Sequence, residues 1–221
     1  MIFDLIGGRY NSVGEAAITI AACIAAVFTA LIAHEIAHGY AALWNGDDTA
    51  KRAGRLTPNP SAHLDLLGTI FLLVVGIGWA KPVPINPYNF KDIKKGVITT
   101  SLAGVAANLA LALIFAGIYH LLQLTAVFWV VGTAGFWVYY AAIIFCLYFV
   151  HINLLIMLFN LIPVAPLDGF RVLEAVVKPD NGYVEFMNRN SRWLGLVVLV
   201  VIGYSGILTT AVEGLRGLLG M

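Results

Sequence analysis

The chain has 221 residues, 60% of them hydrophobic and 11% charged, with a mean hydropathy of +0.87. Soluble domains carry about 25% charged residues, so this composition marks an integral membrane protein of single-domain length and excludes an ordinary soluble fold. The net charge of +1 offers no basis for binding nucleic acid, and the two cysteines, Cys23 and Cys146, sit in apolar runs without metal or redox spacing.

Residues 1 to 15 are short and mixed, with Arg9 as their single base and no cleavable leader pattern, so no removable signal peptide is expected. The first strong element is a helix over 16–44. Its uncharged run from Ala16 to Ala33 is long enough to cross a bilayer, and it leads into His34-Glu35-Ile36-Ala37-His38. Positions four apart share a helix face, so His34 and His38 can offer two imidazole nitrogens to one metal. Glu35, about 100° round the helix, can act on a water without taking a ligand position. In a soluble helix this three-position pattern arises often by chance. In a membrane helix an ionised group costs roughly 2.5–3.5 kcal/mol or more near the bilayer centre, and three such groups together call for an ion or a cavity.

Asp47 to Asp65 reads as a polar loop broken by Pro58 and Pro60, with a possible extended piece at Gly54-Arg55-Leu56-Thr57. The apolar run 66–80 is short for a full span and fits a re-entrant or tilted segment. Lys81 to Lys95 is a second basic loop. No Asp, Glu, Lys or Arg then occurs until Asp168, room for spans near 97–122 and 133–161 joined through Gly132 and Gly135. Pro163 and Pro166 break the second of these just before Asp168-Gly169, and a last span is expected over 193–212. If 66–80 is re-entrant, the loops at 46–65 and 81–95 share the cytoplasmic side with the basic 171–192 stretch, as the positive-inside tendency requires. The reading is an all-α protein with about 4–6 membrane segments in a single domain over 1–221, with minor extended pieces in the loops.

A catalytic zinc site has three protein ligands and one open position. Candidates for the third are Asp168, Glu174, His63, His120 and His151. The Pro163–Pro166 break lets the Asp168 carboxylate turn inward, although Asp168 can equally cap the helix that follows. Glu174 fits a solvent-facing position, His63 a loop hydrogen bond, His120 the membrane edge and His151 an interhelical hydrogen bond. Asn108 and Asn160 are intramembrane amides, suited to bonding a helix backbone or to holding a substrate or oxyanion. Asn153 and Asn160, seven apart, share a face. The Ser101-Leu102-Ala103-Gly104 run permits close helix packing.

With these residues in view, the chain resembles the site-2 protease family of intramembrane zinc metalloproteases, in a short form containing only the membrane core. The likeness rests on His34-Glu35-Ile36-Ala37-His38 and on Asn160 through Asp168-Gly169. Gly54-Arg55-Leu56-Thr57-Pro58-Asn59-Pro60 with His63-Leu64-Asp65, Gly78-Trp79-Ala80-Lys81-Pro82-Val83-Pro84, and Ser101-Leu102-Ala103-Gly104 with Asn108 add to it. Val105 stands where many members have proline, and neither a PDZ insertion nor a nucleotide-binding module is expected. The resemblance implies one Zn2+ per chain held by His34, His38 and Asp168, with Glu35 as catalytic base and Asn160 and Asn108 as substrate or transition-state contacts. It further implies a multi-pass protein of the cell membrane whose substrates are membrane-spanning segments of other proteins. A membrane metal transporter or channel using the same ligands is the alternative, and a catalytically dead binding protein is a third. A single depth of polar residues and an intact Glu35 favour catalysis. No motif sets an oligomeric state.

Overall fold

Small residues recur at every fourth position along two of the long apolar helices, and these faces decide the packing. The computed structural model describes residues 12–65, 68, 81–178 and 180–221. In chain order its helices are α1 (Val13–Asn45), α2 (Thr49–Arg52), α3 (Ile93–Gln123), α4 (Ala134–Asn160), α5 (Asp168–Val176), α6 (Gly182–Ser205) and α7 (Ile207–Leu218). Single 3₁₀ turns lie at Pro60–Ala62, Pro87–Asn89 and Ala126–Phe128, and no sheet occurs among the described residues. The protein is an all-α membrane protein, with α1, α3 and α4 each long and apolar enough to cross a bilayer.

The buried stripe of α1 includes Ala22, Ala26, Ala30, His34 and His38, an unbroken four-residue repeat. The buried face of α3 repeats in the same way through Gly96, Thr100, Gly104, Asn108, Ala112 and Ala116. Side chains four apart lie on one helix face, and small ones let two backbones approach closely where lipid supplies no hydrophobic drive to association. So α1 and α3 meet along their small faces, and α4 packs against both. Val105, Ala112 and Ala116 of α3 form a core with Val150, Leu154 and Met157 of α4 and Val212 of α7. Outward, Leu109, Leu113, Ile114, Ile118 and Leu121 leave α3 with an exposed apolar face suited to lipid.

The helix starts follow from local chemistry. Ser12, Asp92 and Thr133 cap α1, α3 and α4, each accepting a backbone N–H from three residues on. The end of the chain differs from the expected single span over 193–212. There α6 already begins at Gly182, carrying the polar stretch with it. It stops at Gly206, whose φ of +72° is left-handed, and α7 departs at an angle of 59°. Gly54 to Thr57 forms turns and bends instead of an extended piece. The short segment expected over 66–80 lies, apart from Gly68, outside the described residues.

The two polar loops interlock at the Asn45 end of α1. Asp47 is fully buried there and accepts from the backbone N–H groups of Thr49 and Asn86, from Asn89 Nδ2 and from the Thr49 hydroxyl. Arg55, also buried, donates to the carbonyls of Lys81 (2.6 Å) and Pro82 (3.1 Å), and Lys81 N–H donates to His63 O (2.8 Å). The loops 46–65 and 81–92 therefore lie on one end of the bundle.

Burial works to raise the Asp47 pKa, but the bonds from Thr49, Asn86 and Asn89 outweigh it and hold the carboxyl below its ordinary value. Its folded pKa is depressed, so its stabilisation is present above the unfolded pKa of about 3.9 and is lost as pH falls through the folded one. Asp47→Ala should lower stability by about 1–3 kcal/mol at neutral pH, since it strands buried donors. It should also flatten the loss of stability below about pH 4. Thermal melting in detergent at several pH values checks both, and an unchanged melting temperature at pH 7 would show that the loop clasp is dispensable.

Candidate metal centre

Because α1 continues its buried stripe from Ala30 into His34 and His38, both imidazoles point at α3 and not at lipid; they are 5% and 7% exposed. The α4 helix ends at Asn160, and the proline-broken turn that follows brings Asp168, the first residue of α5, back against them at 8% exposure. His34 Nε2 and His38 Nε2 are 2.9 Å apart, and Asp168 Oδ2 lies 3.1 Å from the first and 3.2 Å from the second. Among the described residues these three form the one grouping of His, Cys, Asp or Glu able to hold a metal ion.

The hydrogen bonds behind the rings fix what their front atoms can do. His34 Nδ1 faces Asn108 Oδ1 at 2.7 Å, and His38 Nδ1 faces the Thr100 carbonyl at 2.7 Å. Both partners are acceptors, so both Nδ1 atoms carry hydrogen, and in the neutral rings both Nε2 atoms present bare lone pairs. The orientation of the Asn108 amide follows from its Nδ2, which donates to Ala30 O (3.1 Å) and Asn153 Oδ1 (2.9 Å). Asp168 Oδ2 is buried with no hydrogen-bond donor. Three lone pairs thus converge in an apolar bundle, a repulsive arrangement unless a cation stands between them. Donors about 2.0–2.1 Å from a tetrahedral zinc would be about 3.3 Å apart, close to the spacing found. Nitrogen and oxygen donors from two neutral histidines and one carboxylate are also a zinc set. The residues fit Zn2+.

Gly104 makes the approach possible. A Cβ there would lie 2.6 Å from His34 Cε1 and Nδ1 and from His38 Nε2, so only glycine lets α3 back onto the paired rings. Glu35 is held differently: its Oε2 accepts the Val83 N–H at 2.7 Å, beside the Lys81 and Pro82 carbonyls that Arg55 clamps. Glu35 lies outside the donor cluster, as its place on the helix predicts.

The other candidates have separate partners. Glu174 is exposed and accepts from Asn188 Nδ2 at 2.7 Å. His63 bonds Thr57 O, His120 bonds Leu219 O, and His151 lies 3.8 Å from Glu213. Asn108, expected as a substrate or transition-state contact, is fully buried, and its amide bonds His34, Ala30 and Asn153. Asn160 donates to Ile156 O one turn back, the backbone use of an intramembrane amide. The sequence reading did not find Thr100, Gly104 or Val83 as site residues. The four-residue repeat of α3 was the available signal for the first two.

The sequence is 42% identical over 169 residues to the protein named "Putative zinc metalloprotease YwhC" of Bacillus subtilis, covering 76% of this chain and 74% of that one. It is 32% identical over 185 residues to "Putative zinc metalloprotease Rip2" of Mycolicibacterium smegmatis, covering 81% of this chain and 65% of that protein. The protein of the same name in Mycobacterium tuberculosis is 30% identical over 166 residues, and this chain spans 58% of its length. No family model matches the sequence, and no solved structure does.

Purified protein should carry about one zinc per chain when three ligands meet. Asp168→Ala should lose it, because two histidines alone leave the site open, while Glu174→Ala should keep it. Gly104→Val should fold yet bind zinc poorly, its side chain displacing the rings. Metal analysis after detergent purification reads all three. Full zinc in Asp168→Ala would remove that carboxylate from the ligand set.

Proposed function

We propose that this chain, which belongs to the zinc metalloprotease family, is an intramembrane endopeptidase that cuts membrane-spanning segments of other proteins. The observation that carries the reading is the depth of the donor cluster within a helix long and apolar enough to cross the bilayer. At 1.5 Å per residue, His38 and His34 lie about 10 and 16 Å below the Asn45 end of α1, where the polar loops gather. A peptide bond reaching that depth belongs to a membrane segment whose helix has locally opened.

Zinc at such a site supplies Lewis acidity to a carbonyl oxygen and makes water a usable nucleophile near neutral pH. His34, His38 and Asp168 would hold the ion. The Val83 N–H engages Glu35 Oε2, which leaves Oε1 to take the proton of the attacking water and pass it to the departing amide nitrogen. Arg55, by gripping the Lys81 and Pro82 carbonyls, keeps the Val83 amide in place. A transport role would need a succession of polar sites across the bundle, whereas the described residues gather their ligands at one depth.

The exposed bases Lys51, Arg52, Lys81, Lys91, Lys94 and Lys95 all sit at the loop end. Their charge supports a multi-pass protein of the cell membrane with that end, and the nearby site, on the cytoplasmic side.

Co-expression with a tagged single-span substrate tests the proposal. Wild type should yield two stable fragments. Glu35→Gln should keep its zinc and yield fragments at least 10²-fold more slowly, the lower range of general-base losses. In the same cells a cysteine at position 94 should react with an impermeant thiol reagent only after the membrane is opened. Fragments formed equally by Glu35→Gln would end the base assignment, and labelling of intact cells would reverse the orientation.

A further inference from the structure

Asn153 is fully buried in α4, in a bundle where an amide must find all its partners within the protein. Its Nδ2 donates to Phe149 O at 2.8 Å, one turn back on its own helix. That bond fixes which end of the amide faces α3. Its Oδ1 accordingly accepts from Asn108 Nδ2 at 2.9 Å. Asn108 in turn has both Nδ2 hydrogens engaged, by Asn153 Oδ1 and Ala30 O, so its Oδ1 is the end left for His34 Nδ1. The directional chain runs from the α4 backbone through two amides to one imidazole.

We propose that Asn153 is a positioning residue for the metal: through Asn108 it selects the Nδ1–H form of His34 and so keeps the Nε2 lone pair aimed at the zinc. The inference rests on the zinc reading of the site. Metal-bound histidines commonly donate their second N–H to a carbonyl or carboxylate. Here a carboxylate in that place would add a second buried negative charge beside Asp168, and a neutral amide relay achieves the same orientation without it. Reversing the Asn108 amide would set its oxygen against both Ala30 O and Asn153 Oδ1. With Asn153 present, both contacts oppose reversal; without it, only Ala30 does.

An amide that merely glued α3 to α4 would affect melting and nothing at His34. The test therefore uses histidine labelled with ¹⁵N in purified zinc-loaded protein, with zinc affinity measured separately by competition against a chelator. Wild type should show His34 protonated at Nδ1 alone. Asn153→Leu, similar in volume, should show a mixture of both His34 tautomers and bind zinc about 10–100-fold more weakly. Asn153→Asp, whose neutral acid can reproduce both bonds, should restore a single tautomer and most of the affinity. A wild-type His34 protonated at Nε2 overturns the proposal whatever the variants do. So does a folded Asn153→Leu with one tautomer and wild-type affinity, and so does an Asn153→Asp that weakens zinc as much as Leu. Neither readout involves substrate. A protein that behaves as expected in both and cleaves nothing would sink the endopeptidase reading and leave this one standing.

Discussion

Three buried lone pairs pointed at one another inside a helix bundle are the constraint on which the rest of this protein depends. His34 Nε2, His38 Nε2 and Asp168 Oδ2 lie 2.9–3.2 Å apart with no donor among them. Placed there without a cation, they would repel and would leave polar atoms unsatisfied at a cost of several kcal/mol. With zinc between them, the same atoms would cross-link α1 to α5, with α3 supporting the rings from behind. Metal binding would therefore favour the packing of α1 against α5.

The helix faces are built to permit that convergence. Four-residue repeats of small side chains bring α1 and α3 together along their length, and the histidines and Asn108 occupy positions in those same repeats. Gly104 sits opposite both rings, where any side chain would collide with them. Packing thus supplies a rigid back wall for the site, through the Thr100 carbonyl and the two buried asparagines. The front is organised from outside the bundle. Asp47 and Arg55 tie two loops together, and one of those loops delivers the Val83 amide to Glu35. The three converging donor atoms are held by helices, whereas the Glu35 carboxylate is engaged by a loop amide.

Much of this was legible in the sequence where one helix's periodicity decides it. His34 and His38 share a face because they are four apart, and Glu35 falls off that face for the same reason. Asp168 was legible as one of several candidates, because a proline-broken helix end leaves its carboxylate able to turn either way. What sequence could not separate was two uses of the same group. Asn108 has the chemistry of a substrate contact and of a ligand support, and only the approach of α1 and α4 to α3 gives it to His34. Asn153 and Asn160 share a helical face by spacing and each bonds the α4 backbone one turn back, yet Asn153 is fully buried and also accepts from Asn108 of α3. The last span reads as continuous because its residues are uncharged throughout, and Gly206 ends α6 through a left-handed φ that hydropathy does not register.

Zinc X-ray absorption on the purified protein in detergent addresses the convergence itself. The account predicts nitrogen and oxygen donors at about 2.0–2.1 Å, scattering from two imidazole rings, and no sulfur. A sulfur shell near about 2.3 Å, or a ring count other than two, would contradict it.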